Sequence, residues 1–293
     1  MALDATRAHG FRLWQRTPGQ GHSYLLVWSL AGLSAIALYA VAVPLFAGGD
    51  LRLTDFAAAH RPPSSSHWFG TDPAGRDLFV RTAAGLRVSL LIAAACAVVS
   101  TVLGVAVGVA AGALGGWTDR VVMRLVDGIN ALPHLLLGIA IVALYPGNVI
   151  AIVASIALTH WTQVARIARA EVRTARTGTY IEAARLAGAT RTRVTVTHLV
   201  PAAAGQALVA VVLLLPHAIW HESTLSFLGL GLPPDRASLG TLLQDARAAV
   251  LTGSWWTLVF PAAALVITTL LVAAVGATAR SRIVPSVPER AVR

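Results

Sequence analysis

The chain has 293 residues, 56% of them hydrophobic and only 12% charged, with a mean hydropathy of +0.69 and a formal net charge of +10. Soluble domains carry about a quarter charged residues, and so apolar a chain cannot close around one aqueous core, because its surface would lack polar groups. That excludes ordinary soluble enzymes and binding modules, and since all the cations are arginine with no lysine, the charge suits the cytoplasmic edge of a membrane protein rather than nucleic acid.

The apolar stretches are continuous rather than alternating, which predicts helices in lipid and not a barrel. Residues 1–23 form a polar N-terminal segment with Arg7, Arg12 and Arg16. The first apolar run, 24–46, is too long for a cleaved signal sequence and predicts a retained span. Residues 47–87 are polar and contain Arg61-Pro62-Pro63-Ser64-Ser65-Ser66, a loop signal. A second span is expected over 88–111, where Gly104, Gly108 and Gly112 recur every four residues and let another helix approach closely. Cys96 lies in this run and excludes an intrachain disulfide, being the single cysteine; it reads as a small packing residue. A short amphipathic stretch to Asp127 leads to a third span over 129–145, a turn at Pro146-Gly147-Asn148, and a fourth span over 149–164. The most polar part of the chain, about 166–201, follows. A fifth span is expected over 202–220, a second non-spanning segment over 221–256, and a last span over 258–279, before a tail at 281–293.

Six spans place both termini on one side. That side also holds the 166–201 loop, with Arg166, Arg169, Arg173, Arg176, Arg185, Arg191 and Arg193 against Glu171 and Glu182, so it is expected to be cytoplasmic. The first outer segment is a partial exception, with Arg52, Arg61, Arg76, Arg81 and Arg87 nearly balanced by Asp50, Asp55, Asp72 and Asp77. Trp68, Trp220, Trp255 and Trp256 fall near expected interfaces, as in an aromatic belt. Arg76 and Asp77 suit either a local ion pair or contact with an outer partner.

The drive for transport is missing from the chain itself. No GxxxxGK[ST] motif occurs, and the centres of the spans hold almost no ionisable groups for a coupling ion. A self-contained secondary transporter or channel is the rival reading, and those absent charges count against it. Ser226 lies in no GxSxG elbow, so an intramembrane hydrolase is disfavoured and no enzymatic activity is expected. Energy must then enter from a partner. Thr179–Ala189 has helix-forming composition, with Glu182, Ala183, Ala184 and Arg185, and Gly188 is placed to stop that helix. On spacing alone this is either an ordinary amphipathic loop helix or a small-faced helix that fits a groove on another protein.

Four blocks carry a resemblance. Glu182-Ala183-Ala184, then Gly188, then His198-Leu199-Val200-Pro201 is similar to the "EAA" coupling loop of binding-protein-dependent ABC importer permeases, departing from the usual ending at His198 and Val200. His67-Trp68-Phe69-Gly70-Thr71-Asp72 with Gly75-Arg76-Asp77 resembles a block of the second permease of dipeptide, oligopeptide and nickel importers. So do Gly115-Gly116-Trp117-Thr118-Asp119-Arg120 through Leu132-Pro133, and Glu222-Ser223-Thr224-Leu225-Ser226-Phe227-Leu228-Gly229-Leu230-Gly231. The resemblance implies an all-α membrane protein, a type I permease bundle of six transmembrane helices with a cytoplasmic coupling helix, in the cell membrane with both termini cytoplasmic. It implies half of a translocation path for peptides or nickel, paired with a homologous permease, two ABC ATPase subunits and an extracytoplasmic solute-binding protein. ATP and Mg would be bound by the ATPases, with no cofactor here. The ATPase-coupling residues would be Glu182, Ala183, Ala184, Arg185 and Gly188.

The cargo is less legible. His217 and His221 share a helix face, and with Glu222 they could hold a metal in passage, since imidazole suits Ni²⁺; equally they could be polar residues at a span end. His160-Trp161 also resembles nickel permeases. Peptide is the leading expectation, with nickel or a metal chelate as the alternative.

Overall fold

A computed structural model describes residues 21–47, 53–233 and 236–283. The polar segment at 1–20, the tail from 284, and Asp50, Arg52, Pro234 and Asp235 lie outside the described residues. Most of the rest is helical: α1 (Gly21–Phe46), α2 (Leu78–Leu114), α3 (Gly116–Asn130), α4 (His134–Ala143), α5 (Val149–Arg176), α6 (Thr179–Leu186), α7 (Arg191–Val194), α8 (Val200–Phe227), α9 (Leu239–Leu251) and α10 (Trp256–Ile283). Among the described residues the strand content is one isolated bridge, Thr71 to Asp77. Five helical stretches are long and apolar enough to cross a membrane, and six if the bent pair α3–α4 makes one crossing. The chain is therefore an all-α membrane protein.

That bent pair corrects the straight third span expected over 129–145. α3 and α4 meet at 82°. The ten residues of α4 reach only about 15 Å at 1.5 Å per residue, half of a hydrocarbon core of about 30 Å. Pro133 causes the break: it cannot donate to the preceding turn, and it holds Leu132 away from helical geometry. Three other boundaries move outward. α2 begins ten residues before 88, because the Asp77 carboxylate caps it, accepting from Phe79 N at 2.9 Å and Val80 N at 3.2 Å. α5 runs on to Arg176, so the arginines expected in a loop lie on a helix. α8 continues through His221 to Phe227.

α2 is the centre post, packing on α5, α8 and α1. The glycine stripe explains how closely α5 lies. A Cβ on Gly104 would meet Val164 Cβ at 2.5 Å and Trp161 O at 2.7 Å, and one on Gly112 would meet Val172 Cγ1 at 2.8 Å. One on Gly108 would strike Ala165 O. Cys96 is fully buried in the main cluster, beside Leu86, Ile152, Ile219 and Leu225.

At the end of the bundle where α2 begins, residues 53–77 fold over α2 and α9. Arg81 and Asp72 are both 2% exposed and ion-paired; Arg76 Nε adds a 2.8 Å bond to Asp72, and Asp245 of α9 sits 3.4 Å from Arg81. Burial pushes the Asp245 carboxyl up, against the pull of Arg81 and Arg76. Arg76 and Asp77 thus have local partners, Asp77 also accepting from His67 Nδ1 at 2.9 Å. Trp256 departs from the aromatic-belt expectation: it is buried, with Nε1 donating to Thr71 O at 3.1 Å, while Trp68, Trp220 and Trp255 are exposed.

Candidate functional site

The eight-residue helix α6 is the element that the sequence singles out, and its ends are built by local geometry. Gly188 has φ +86°, a left-handed conformation open to glycine at no steric cost. That turn lets Gly188 N donate to Arg185 O and Ala189 N donate to Ala184 O, both at 3.0 Å. The pair is a complete Schellman closure, satisfying carbonyls that the helix end would otherwise orphan. A Cβ on Gly188 would meet nothing within 4 Å, so packing inside the chain does not require the glycine.

α6 presents nearly all of itself to the outside. Glu182, Ala183, Arg185, Ala187 and Gly188 are exposed, and Leu186 is 90% exposed, an apolar side chain with no cover in this chain. One side chain rivets the helix down. Ile181 is fully buried in a cluster with Val109 of α2, Ala168 and Val172 of α5, Val194 of α7, and Leu199 and Ala203 near the start of α8. Any displacement of α6 is therefore felt by three long helices at one point. Sequence reasoning missed Ile181; the available signal was an isoleucine near the helix start, five residues before the exposed Leu186 and so about 140° round the helix from it.

The helices around α6 are tied by arginine. Arg169 of α5 makes a two-pronged pair with Asp119 of α3, its NH2 to Oδ2 distance being 2.5 Å, and Arg166 reaches Asp127 at 2.7 Å. Arg176 donates to Gly112 O at 2.6 Å, satisfying a carbonyl at the end of α2. Beyond α7 the chain makes a π-helical turn at Thr195–Leu199 and runs directly into α8. Pro201 begins that helix rather than following a break, because the wider turn accommodates its missing donor.

At the other end of α8, Glu222 does not face the histidines beside it. Its carboxylate has no exposure and accepts from Ser89 Oγ at 2.7 Å and Ser226 Oγ at 2.9 Å. Ser89 in turn accepts from Leu239 N at 3.1 Å, so the network joins α2, α8 and α9. The trio His217, His221 and Glu222 is thus not assembled, and among the described residues no three metal-ligating side chains are gathered for an ion. Instead His221 meets His160 of α5, ring centroids 4.9 Å apart, with His217 at 6.4 Å and His134 of α4 at 5.7 Å from the same ring. His134 went unrecognised in the sequence because its pairing with His160 depends on how α4 lies against α5 beyond the Pro133 break.

Residues 104–287 match the family described as binding-protein-dependent transport system inner membrane component. The chain belongs to that family. It is 40% identical over 262 residues to the oligopeptide transport system permease protein OppC of Escherichia coli (strain K12), covering 88% of this chain and 86% of that protein. It is 39% identical over 233 residues to the OppC protein of Bacillus subtilis (80% and 76%), and 36% identical over 201 residues to the dipeptide transport system permease protein DppC of the same organism (69% and 63%). The family match runs from Gly104, so it contains α6, the arginine ties and the histidine group, while residues 53–77 precede it. As a transport-system membrane component the chain is a permease subunit, and its relatives are permeases rather than enzymes.

Proposed function

We propose that this chain is one of two permease subunits of an ATP-driven importer of di- or oligopeptides, and that α6 is the helix on which a separate ATPase acts. The observation that carries the reading is the exposure of α6. A short helix with Ala183, Leu186 and Gly188 bare, anchored to three spans through Ile181, is suited to sit in a partner's groove and pass its movement to the bundle. The arginines on the same side favour a cytoplasmic α6, and with six crossings this reading puts both termini there as well. A homologous permease completes the path, two ATPases bind ATP and Mg, and a solute-binding protein delivers cargo from outside. The peptide cargo rests on the oligopeptide and dipeptide relatives.

The test is a Gly188→Trp substitution in the full complex. The substitution strains the left-handed turn at φ +86°, but the indole meets no atom of this chain near Cβ, so the strain stays at the exposed end of α6 and the subunit is expected to insert and pair normally. Labelled-peptide uptake is expected to be abolished and ATPase co-purification lost. Full uptake with normal co-purification would remove the docking role.

A second reading, nickel or a metal chelate as cargo, rests on the histidines that face one another where α4, α5 and α8 meet, which form no ready-made ion site among the described residues. Nickel and labelled-dipeptide uptake measured in a His217→Ala/His221→Ala complex separates the two. Selective loss of nickel uptake supports the metal; unchanged nickel uptake removes the histidine argument.

A further inference from the structure

Beside α6 lies a cavity of about 620 Å³ walled by Arg176, Arg185 and Arg191 over an apolar floor that includes Leu114 and Leu199. No carboxylate lines it. Other arginines of this region are spent on acids: Arg166 on Asp127, and Arg169 and Arg173 on Asp119. Among the described residues Arg176, Arg185 and Arg191 form no direct ion pair, although Arg176 uses one N–H on Gly112 O and feels Asp119 at longer range. Three guanidinium groups in one polar chamber are a site for an anion with several oxygens, above all a phosphate.

The cavity does not end there. It shares Ala110 and Thr195 with a second hollow of about 530 Å³ that runs between α2 and the start of α8. That groove is almost wholly apolar, walled by Val102, Val105, Ala106 and Val109 of α2 and by Val200 and Ala204 of α8. Along α2 it extends from Thr101 to Ala110, about 14 Å at 1.5 Å per residue. One leaflet of a hydrocarbon core of about 30 Å is about 15 Å deep. The hollow is thus basic at one end and apolar for the depth of one leaflet beyond it.

We propose that the cavity and groove together bind one anionic phospholipid of the cytoplasmic leaflet, its phosphate between Arg176, Arg185 and Arg191 and an acyl chain along α2. The leaflet assignment rests on the proposed placement of α6 in the cytoplasm. Charge complementarity selects an anionic headgroup, and the groove selects a lipid over a free anion. An ATPase bound to α6 would meet Glu182, Ala183, Leu186 and Gly188, none of which lines the cavity, whereas Arg185, one of the expected coupling residues, would turn to the lipid instead. Because Arg185 belongs to α6 and Arg176 ends α5, the lipid would fasten the coupling helix to the bundle, making transport depend on membrane composition.

The experiment uses the complete complex, reconstituted in phosphatidylcholine–phosphatidylglycerol vesicles, re-extracted and weighed by native mass spectrometry. Three forms are compared: wild type, Arg176→Gln/Arg191→Gln, and a groove-filling Ala106→Trp/Ala204→Trp, both alanines being exposed. Wild type is expected to retain phosphatidylglycerol in preference to phosphatidylcholine, and each variant to retain about tenfold less. Equal retention of the two lipids, or unchanged phosphatidylglycerol in either variant, overturns the proposal. So does full displacement of the lipid by inorganic phosphate, which marks a free-anion site. Loss of the ATPases from the arginine variant while the groove variant keeps its lipid assigns the cavity to the ATPase interface instead, and also overturns it. The placement of α6 is read separately, by labelling Ala187→Cys with an impermeant maleimide from each side of the membrane; the native Cys96 is buried and silent.

Discussion

Glu222 shows how one residue can invite the wrong chemistry. In the sequence it stands next to His221, and a histidine–carboxylate pair suggests a metal. A helix turns about 100° per residue, so neighbours in sequence face different ways, and the carboxylate turns instead to Ser89 and Ser226. Its role is to satisfy donors on α2 and α8, with Ser89 passing the tie to Leu239 of α9. Removing it would orphan buried hydroxyls at about 1–3 kcal/mol each. Glu222→Ala is therefore expected to lower the melting temperature of the detergent-solubilised complex clearly more than Glu222→Gln, which keeps the volume and an acceptor. Equal melting temperatures for the two variants would contradict the network. Gly188 is the opposite case: its turn-forming role was legible from composition, since a glycine after an alanine-rich helical stretch has few other uses, and the φ of +86° agrees.

At the scale of elements, what could be read from the sequence divides by range. The existence and order of the long helices followed from run length and hydropathy, because the bilayer fixes how many apolar residues a crossing needs. The Gly104-Gly108-Gly112 stripe marked a packing face, and α5 lies on it. The start of α2 was misplaced although its cap, Asp77, is local, and other ends were misplaced where a distant group decides them. α5 persists to Arg176 because Arg166 and Arg169 find acids on α3, pairs invisible to a local reading. The 82° bend was missed although Leu132-Pro133 was noticed, since a proline can equally start a new helix in line. For α6 the eight-residue helix was legible and its anchor was not. Ile181 is its one fully buried large side chain, and Ile→Ala in such a site costs about 2–5 kcal/mol. Even half of that range shifts a local equilibrium about tenfold. Ile181→Ala is expected to leave the complex assembled, with ATP hydrolysis continuing and uptake reduced about tenfold. Normal uptake would show that α6 is held by something other than this contact.

For the whole molecule, the chain is a machine part whose two ends differ in kind. The end where α2 begins is stiffened by the Arg81–Asp72 pair, the Trp256 bond to Thr71, and the fold of residues 53–77 over α2 and α9. The other end carries α6, bare on one side and fixed at a single point, where motion can be imposed from outside. Between them the α2–α5 pair, packed at glycine distance, forms a rigid beam that would transmit movement rather than absorb it. The most direct measurement of this arrangement is site-directed cross-linking in the assembled importer. With Cys96 buried and unreactive, Ala183→Cys paired with a surface cysteine on the ATPase is predicted to form a cross-link to that subunit, whereas Trp68→Cys at the opposite end is predicted to form none. An ATPase cross-link at Trp68→Cys and not at Ala183→Cys would contradict the claim that α6 is where the energy enters.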